Sequence, residues 1–344
     1  MDPKMKRHNQ STPRSEPMKT RIFTKKEVER VLTPPVANEM VEKAFLAYGN
    51  GQVEMPAKSY LNFKQGDLRA MPAYLFGDGF HIAGIKSVNV HPENGRFDLP
   101  TVMAVVILTD PENGFPLAIL DGTYLTNMRT GAAGAIASKL LSRENSQIGG
   151  FVGCGSQART LLSCTMEVRK MKTIKVWERH PEDRSARQFC HWAETSHQLE
   201  TIISPDIDEV TTNVDILFTS TPSRTPIVHK VSPGTHINAI GADAEGKQEI
   251  SPEIVKQAKV VIDDWTQAAH SGEINVPIRN KVFSRDHVHA ELGEIAVKKK
   301  PGRTSVEEIT LFDSTGLAIQ DITCAYRVYT ELKESEDVLK VAFF

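Results

Sequence analysis

Cysteine is scarce: Cys154, Cys164, Cys190 and Cys324 are scattered over 344 residues. That is too few, too widely spaced, for a disulfide framework or a CxxC zinc site, so a reducing, cytoplasmic setting is expected. Long apolar runs are missing too, and none approaches the roughly 18–20 residues that cross a bilayer as a helix. The opening MDPKMKRHNQSTPRSEPMKT lacks the apolar segment of a signal peptide, so neither export nor membrane insertion is expected. Charge of one sign is absent: 41 Lys+Arg against 43 Asp+Glu leave a net −2, which gives no general attraction for nucleic acid or anionic lipid. His, Asp and Glu are not clustered at metal-ligand spacing, and no metal is expected. What is present, 40% hydrophobic and 24% charged residues, is the mix of a folded globular chain.

At roughly 150 residues per domain the length suggests two domains. Residues 1–18 are polar and proline-containing and read as a disordered extension. RIFT then reads as a short strand, and KKEVERVL and PPVANEMVEKAFLAYGNG as helices, the second stopped by Gly49 and Gly51. Between 58 and 121, apolar or alternating runs (KSYLNF, LRAMPAYLF, HIAGIKSVNV, TVMAVVILTD, GFPLAIL) predict an antiparallel or mixed sheet, with PENG closing a hairpin. A helix rich in small residues, 125–142, leads onward. From Gln147 strands alternate with helices, which predicts βαβ units and a parallel sheet. Near the end ITLFDSTG reads as a strand and LAIQDITCAYRVYTELK as an amphipathic helix able to pack back on the first domain. The expected fold is α/β: a Rossmann domain over 131–309, and an α+β domain over 19–130 and 310–344 completed by the C-terminal helix.

The sharpest local signal is IGGFVGCGSQARTLL, where Gly153, Gly155 and Ala158 form GxGxxA between an apolar strand and a helix. The first glycine permits a tight turn, the second lets the backbone approach a pyrophosphate, and the small third residue lets helix and strand pack closely. Phosphates would sit on the helix N-terminus, where free N–H groups favour negative charge. Glu178, 25 positions beyond Gly153, can bind both ribose hydroxyls and favours NAD. Its neighbour Arg179 can instead pair with a 2′-phosphate, which leaves NADP open.

The segments MPAKSYLNF, GDLRAMPAYL, GIKSVNVHPEN, LPTVMAVVILTDPENGFPLAILDGTYLTNMRTGAAGAIA, FVGCGSQA, THINAIGADAEGKQE, DDWTQAAHSGEIN and LFDSTGLAIQD resemble the ornithine cyclodeaminase/mu-crystallin family. Within it the chain looks most like the archaeal-type alanine dehydrogenases. The resemblance runs in order from about Ile22 to Phe344. It implies a homodimer formed through the first domain, and NAD-dependent interconversion of L-alanine, or a similar small L-amino acid, with a 2-oxo acid and ammonia.

Residue by residue, the resemblance assigns the chemistry as follows. Lys86 lies in the apolar strand GIKSVN, where an ammonium is expensive to bury and its pKa falls on desolvation; a lysine on the wet face of an edge strand is the alternative. By resemblance it binds substrate and transfers protons. Arg129, opening the small-residue helix, can grip a carboxylate with two bonds, and the family places a substrate-carboxylate arginine there, within reach of the cofactor. Lys58 and Arg69 are implied to face the substrate. Asp243 follows a strand end, where α/β sheets place ligands, and is implied to be the catalytic aspartate, a general base toward the amine or a water. Further cofactor contacts implied are Ser156, Gln157, Thr221, Ile240, Gly241 and Ser314. His91 and His270 read as structural.

Three activities share a first step that yields an imine. Water attack gives dehydrogenation, attack by a side-chain amine gives proline from ornithine, and a cyclic imine as substrate makes a ketimine or pyrroline-2-carboxylate reductase. Cyclodeaminases of the family carry a glutamate three positions before the Pro of their MP motif, where this chain has Arg69. A cation there disfavours ornithine's ammonium by roughly 1–4 kcal/mol. A crystallin-like binder without turnover would have no need of the set Lys86, Arg129 and Asp243.

Overall fold

The computed structural model describes residues 18–77, 79–177 and 184–344. Residues 1–17, most of the expected extension, and the cofactor candidates Glu178 and Arg179 lie outside the described residues. The chain begins with β1 (Thr20–Phe23), α1 (Lys25–Val31), α2 (Pro34–Gly49), β2 (Val53–Glu54), β3 (Ser59–Phe63), β4 (Gly66–Gly77), β5 (Phe80–Val90), β6 (Val102–Thr109), β7 (Pro116–Asp121) and α3 (Thr123–Leu141). It continues with β8 (Ile148–Val152), α4 (Ser156–Met166), β9 (Thr173–Trp177), α5 (Ser185–His197), β10 (Glu200–Ile203), α6 (Ile207–Thr211), β11 (Ile216–Thr219), β12 (His236–Ala239), α7 (Pro252–Gln257) and β13 (Lys259–Ile262). It closes with α8 (Trp265–Ser271), α9 (Asn275–Arg279), β14 (Val288–Glu291), α10 (Leu292–Ala296), β15 (Thr310–Asp313), α11 (Ala318–Leu332) and β16 (Leu339–Val341).

Two apolar patterns make two sheets. In β4 burial alternates residue by residue, the signature of a strand with one covered face. The resulting mixed sheet has the order β16-β1-β7-β6-β5-β4-β2, with β3 also on β4; among the described residues only β1 and β7 of this sheet pair in parallel. Its covered face packs on α11, whose Ile319, Ile322, Ala325 and Val328 are fully buried, together with α2 and α3. By contrast β11, β12 and β15 are buried at every position, as strands covered on both faces must be. They belong to a parallel sheet of order β10-β9-β8-β11-β12-β15-β13-β14, with the order reversal at β8 that marks a dinucleotide crevice.

The sequence boundary at residue 310 needs correction. Thr310–Asp313 pairs in parallel with β12 and β13, so this strand is the interior of the Rossmann sheet. Its four residues are all buried, which only a doubly covered sheet can satisfy. The return to the first domain begins after it, with α11. The boundary at 130/131 falls inside α3, which packs on α2 and β6 on one side and on α4 and β12 on the other. No helix among the described residues is long and apolar enough to cross a membrane.

Candidate active site

Where the two sheets face each other, a cavity of about 220 Å³ is lined from both domains by Lys58, Arg69, Lys86, Arg129, Ser156, Gln157, Thr221, Ile240, Gly241, Asp243 and Ser314, all of them sequence candidates. Strand pairing explains the first part of this convergence. Met71 stands opposite Lys86, and Arg69 opposite Val88; directly opposed residues of an antiparallel pair project from the same face. Two long cations are thus carried at fixed positions in mid-strand, side by side with Met71, Val88, Val90 and Val102, which give the cavity an apolar wall.

Lys86 is buried, and its ammonium lies 2.7 Å from Asp321 on α11. The same carboxylate receives Arg129 Nε at 2.9 Å, while Arg129 Nη1 donates to Gln320 at 3.2 Å. One buried anion therefore serves two cations. A guanidinium does not surrender its proton in a protein, so the lysine yields: burial, reinforced by Arg129, pulls the Lys86 pKa down to about 7 against the opposing pull of Asp321. Lys86 also lines the cavity, where a ligand can reach it. Gly316 (φ +76°) permits this packing, since a Cβ there would collide with the Arg129 guanidinium.

A second charged cluster joins the domains. Arg69 donates to Asp67 at 2.7 Å and to Asp243 Oδ2 at 3.1 Å, and its guanidinium lies 5.5 Å from the centre of the Tyr60 ring. Lys247 holds the other oxygen of Asp243 at 2.5 Å. Burial would raise the Asp243 pKa, but Lys247 and Arg69 overcome it and hold the group at about 2, so it is a fixed carboxylate. Lys58 donates to the Thr315 carbonyl at 2.5 Å, and burial lowers it to about 8.

The phosphate loop lies at the other end of the groove. Gly153 adopts φ +103°, a region that L side chains rarely enter. Gly155 caps α4, and a Cβ there would meet nothing, so its backbone is open to a ligand. Ala158, in the first turn of α4, is buried. A cavity of about 860 Å³ runs from Gly153, Gly155 and Trp177 past Arg224 and shares Ser220, Thr221 and Pro222 with the first. Gln157 donates to Asn127 on α3 at 3.0 Å, tying the loop to the helix that bears Arg129. The two cavities form one groove shaped for a dinucleotide, with the charged pocket at its far end.

Neither His91, stacked on Phe63, nor His270, edge-on to Tyr60, lines the charged cavity. The sequence reading missed Asp321, Lys247 and Asp67. The available signal for Asp321 was a Gln-Asp pair inside the apolar stripe of a C-terminal helix, because a polar pair on a buried face must have partners.

The chain is similar to known proteins over nearly its whole length. An alanine dehydrogenase of Archaeoglobus fulgidus is 47% identical over 329 residues, covering 95% of this chain and 99% of that protein. The solved structure of an archaeal alanine dehydrogenase dimer with bound NAD superimposes with a TM-score of 0.90 at 47% identity, over 95% of this chain and all of that one. The Thermococcus litoralis Delta(1)-pyrroline-2-carboxylate reductase, in complex with NADH and L-proline, gives 0.87 at 35% identity, over 92% of this chain and 98% of that one. The model of the ornithine cyclodeaminase/mu-crystallin family matches residues 18–336, and the chain belongs to that family.

Proposed function

We propose that the chain is an NAD-dependent amino acid dehydrogenase interconverting L-alanine, or a similarly small L-amino acid, with its 2-oxo acid and ammonia. The observation that carries this reading is the buried Lys86, Asp321 and Arg129 set at one end of a groove whose other end is a glycine loop on a helix N-terminus. The groove fits the dinucleotide: the open Gly155 backbone and the first turn of α4 suit its pyrophosphate, and the shared Thr221 lies between its two halves. When bound, the nicotinamide ring supplies hydride exchange with the substrate Cα.

The chain's own residues do the rest. Arg129 and Lys58 hold the substrate carboxylate. Lys86, poised near pH 7, takes a proton from the substrate ammonium, so that the free amine supports departure of the Cα hydrogen with its electron pair and leaves an imine. Asp243 holds the nitrogen and then orients the water that adds to the imine carbon. A carboxylate held at about 2 is a weak base, so proton carriage falls to Lys86 and Asp243 acts as a fixed charge. Lys86 passes the ammonium's proton to solvent, takes one from the water as it adds to the iminium carbon, and returns it to nitrogen; C–N cleavage, with transfer of the hydroxyl's remaining proton to the departing nitrogen, releases ammonium and the 2-oxo acid.

Side-chain selection rests on the apolar wall. Arg69, counted on above to repel ornithine, is already balanced by Asp67 and Asp243. The stronger discrimination comes from Met71, Val88, Val90 and Val102, against which a terminal ammonium would lose its water without gaining a partner. The same wall also suits the ring of a cyclic imine, which supports ketimine reduction as the second reading. Val105 and Ile107, 45% and 37% exposed on the outer face of the mixed sheet, support homodimerisation through that face.

The test is absorbance at the reduced-nicotinamide band with NAD or NADP and L-alanine, L-ornithine and L-proline in turn. Growth with L-alanine supports the dehydrogenase and identifies the cofactor. Growth with L-proline alone favours the reductase, and proline and ammonia from L-ornithine without net absorbance change would replace both with a cyclodeaminase.

A further inference from the structure

Four buried carboxyl groups behind the groove take no part in the proposed chemistry: Glu249, Glu273, Asp263 and Asp313, each fully buried. Each accepts at least two backbone N–H groups from neighbouring segments. Glu249 receives Thr221 at 2.6 Å and Gly241 at 3.0 Å. Glu273 receives Glu249 at 2.9 Å and Ile250 at 2.7 Å. Asp313 receives Glu273 at 2.9 Å and Ile274 at 3.2 Å, and Asp263 receives Thr315 at 2.6 Å and Gly316 at 2.8 Å. Asp313 thus holds the backbone of Glu273, which holds that of Glu249, which holds two segments lining the groove. Asp263, just past the end of β13, whose Ile262 pairs with Asp313, holds a third.

Two glycines carry the imprint of this arrangement. A Cβ at Gly241 would collide with the Glu249 carboxylate, and one at Gly272 with that of Asp313. Burial pushes all four acids upward while the backbone donors pull them back; groups so costly to bury are held only where every oxygen is used.

We propose that these carboxyl groups form a bracing relay that sets the spacing of the loops at the nicotinamide end of the groove, with Glu249 as a positioning residue for the cofactor. The inference rests on the dinucleotide reading above. Of the residues held, only Thr221 also lines the adenosine-end cavity, and none of the eight bonds reaches Gly153, Gly155 or Trp177 there, so the nicotinamide end responds more strongly when the relay is disturbed.

Two variants test it. Glu249→Gln turns one acceptor into a donor facing a backbone N–H, and Gly272→Ala presses a methyl on Asp313 without lining the groove. In both, NADH affinity read by its fluorescence falls about tenfold or more, the loss of one or two buried hydrogen bonds. AMP affinity by calorimetry stays within about twofold, as for an uncoupled site. Equal weakening of AMP and NADH, or unchanged NADH binding, overturns the relay. If Glu249→Gln does not fold, Gly272→Ala decides alone. A wild-type protein that binds neither AMP nor NADH overturns the dinucleotide reading itself.

Discussion

The two sheets serve the groove in opposite ways. The mixed sheet offers side chains from mid-strand, Arg69 on β4 and Lys86 on β5, whose positions are fixed by ladder pairing on both sides. The parallel sheet offers the loops beyond its strand ends: the Gly153 turn, Ser220 to Pro222, Gly241 to Asp243, and Ser314 to Gly316. Strand interiors suit groups that must keep a buried charge and a tuned proton affinity. Strand-end loops suit a ligand bound largely through backbone groups. The chemistry is therefore set by charge balance within a rigid face, and cofactor affinity by loop placement.

Changes on the mixed sheet test the first half of this contrast. Lys86→Ala is expected to lower kcat about 10²–10⁴-fold, the range of a lost acid–base group, with NADH affinity nearly intact. Stopped-flow turnover and fluorescence titration separate the two, and parallel loss of both would contradict the division. Asp243→Asn is expected to cut turnover by about 10² or more while NADH still binds; more than about a tenth of the wild-type rate remaining would refute its role. Asp321→Asn leaves Lys86 and Arg129 without their shared anion, and a denaturant melt should show about 3–5 kcal/mol lost.

pH sharpens the comparison. Lys86 must be neutral to accept a proton, and its pKa is depressed to about 7. The kcat/KM for amino acid oxidation should therefore rise about tenfold per unit up to pH 7 and level off above it. Reduction, which needs the protonated lysine, should fall above pH 7. On the parallel sheet, Gly153→Ala forces a side chain into φ +103°, at about 1–3 kcal/mol. It is expected to raise the cofactor KM about tenfold or more with little change in kcat.

Much of this was legible in the sequence. Strand-by-strand alternation announced the mixed sheet, and the GxGxxA loop between strand and helix announced the groove. The site residues Lys58, Arg69, Lys86, Arg129 and Asp243 were named from their motifs, and all five line one cavity. What was missed shares one feature. Asp321, Lys247 and Asp67 act by pairing with a charge: Asp321 with Lys86 and Arg129 far away in sequence, Lys247 with Asp243 and Asp67 with Arg69 close by. The misplaced strand Thr310–Asp313, like Asp321, depends on distant partners, since its four residues carry no mark of which sheet they will join.

The sequence by itself determined the periodicities, the tight turns and the residue types at each motif, because these depend on local sterics and on apolar spacing along the chain. Only the tertiary structure decided that one carboxylate on α11 serves both Lys86 and Arg129, that Arg69 is neutralised before any substrate arrives, and that β15 belongs to the parallel sheet. Those outcomes depend on which charges share a low-dielectric space, and that distance is fixed by packing between elements far apart in the chain.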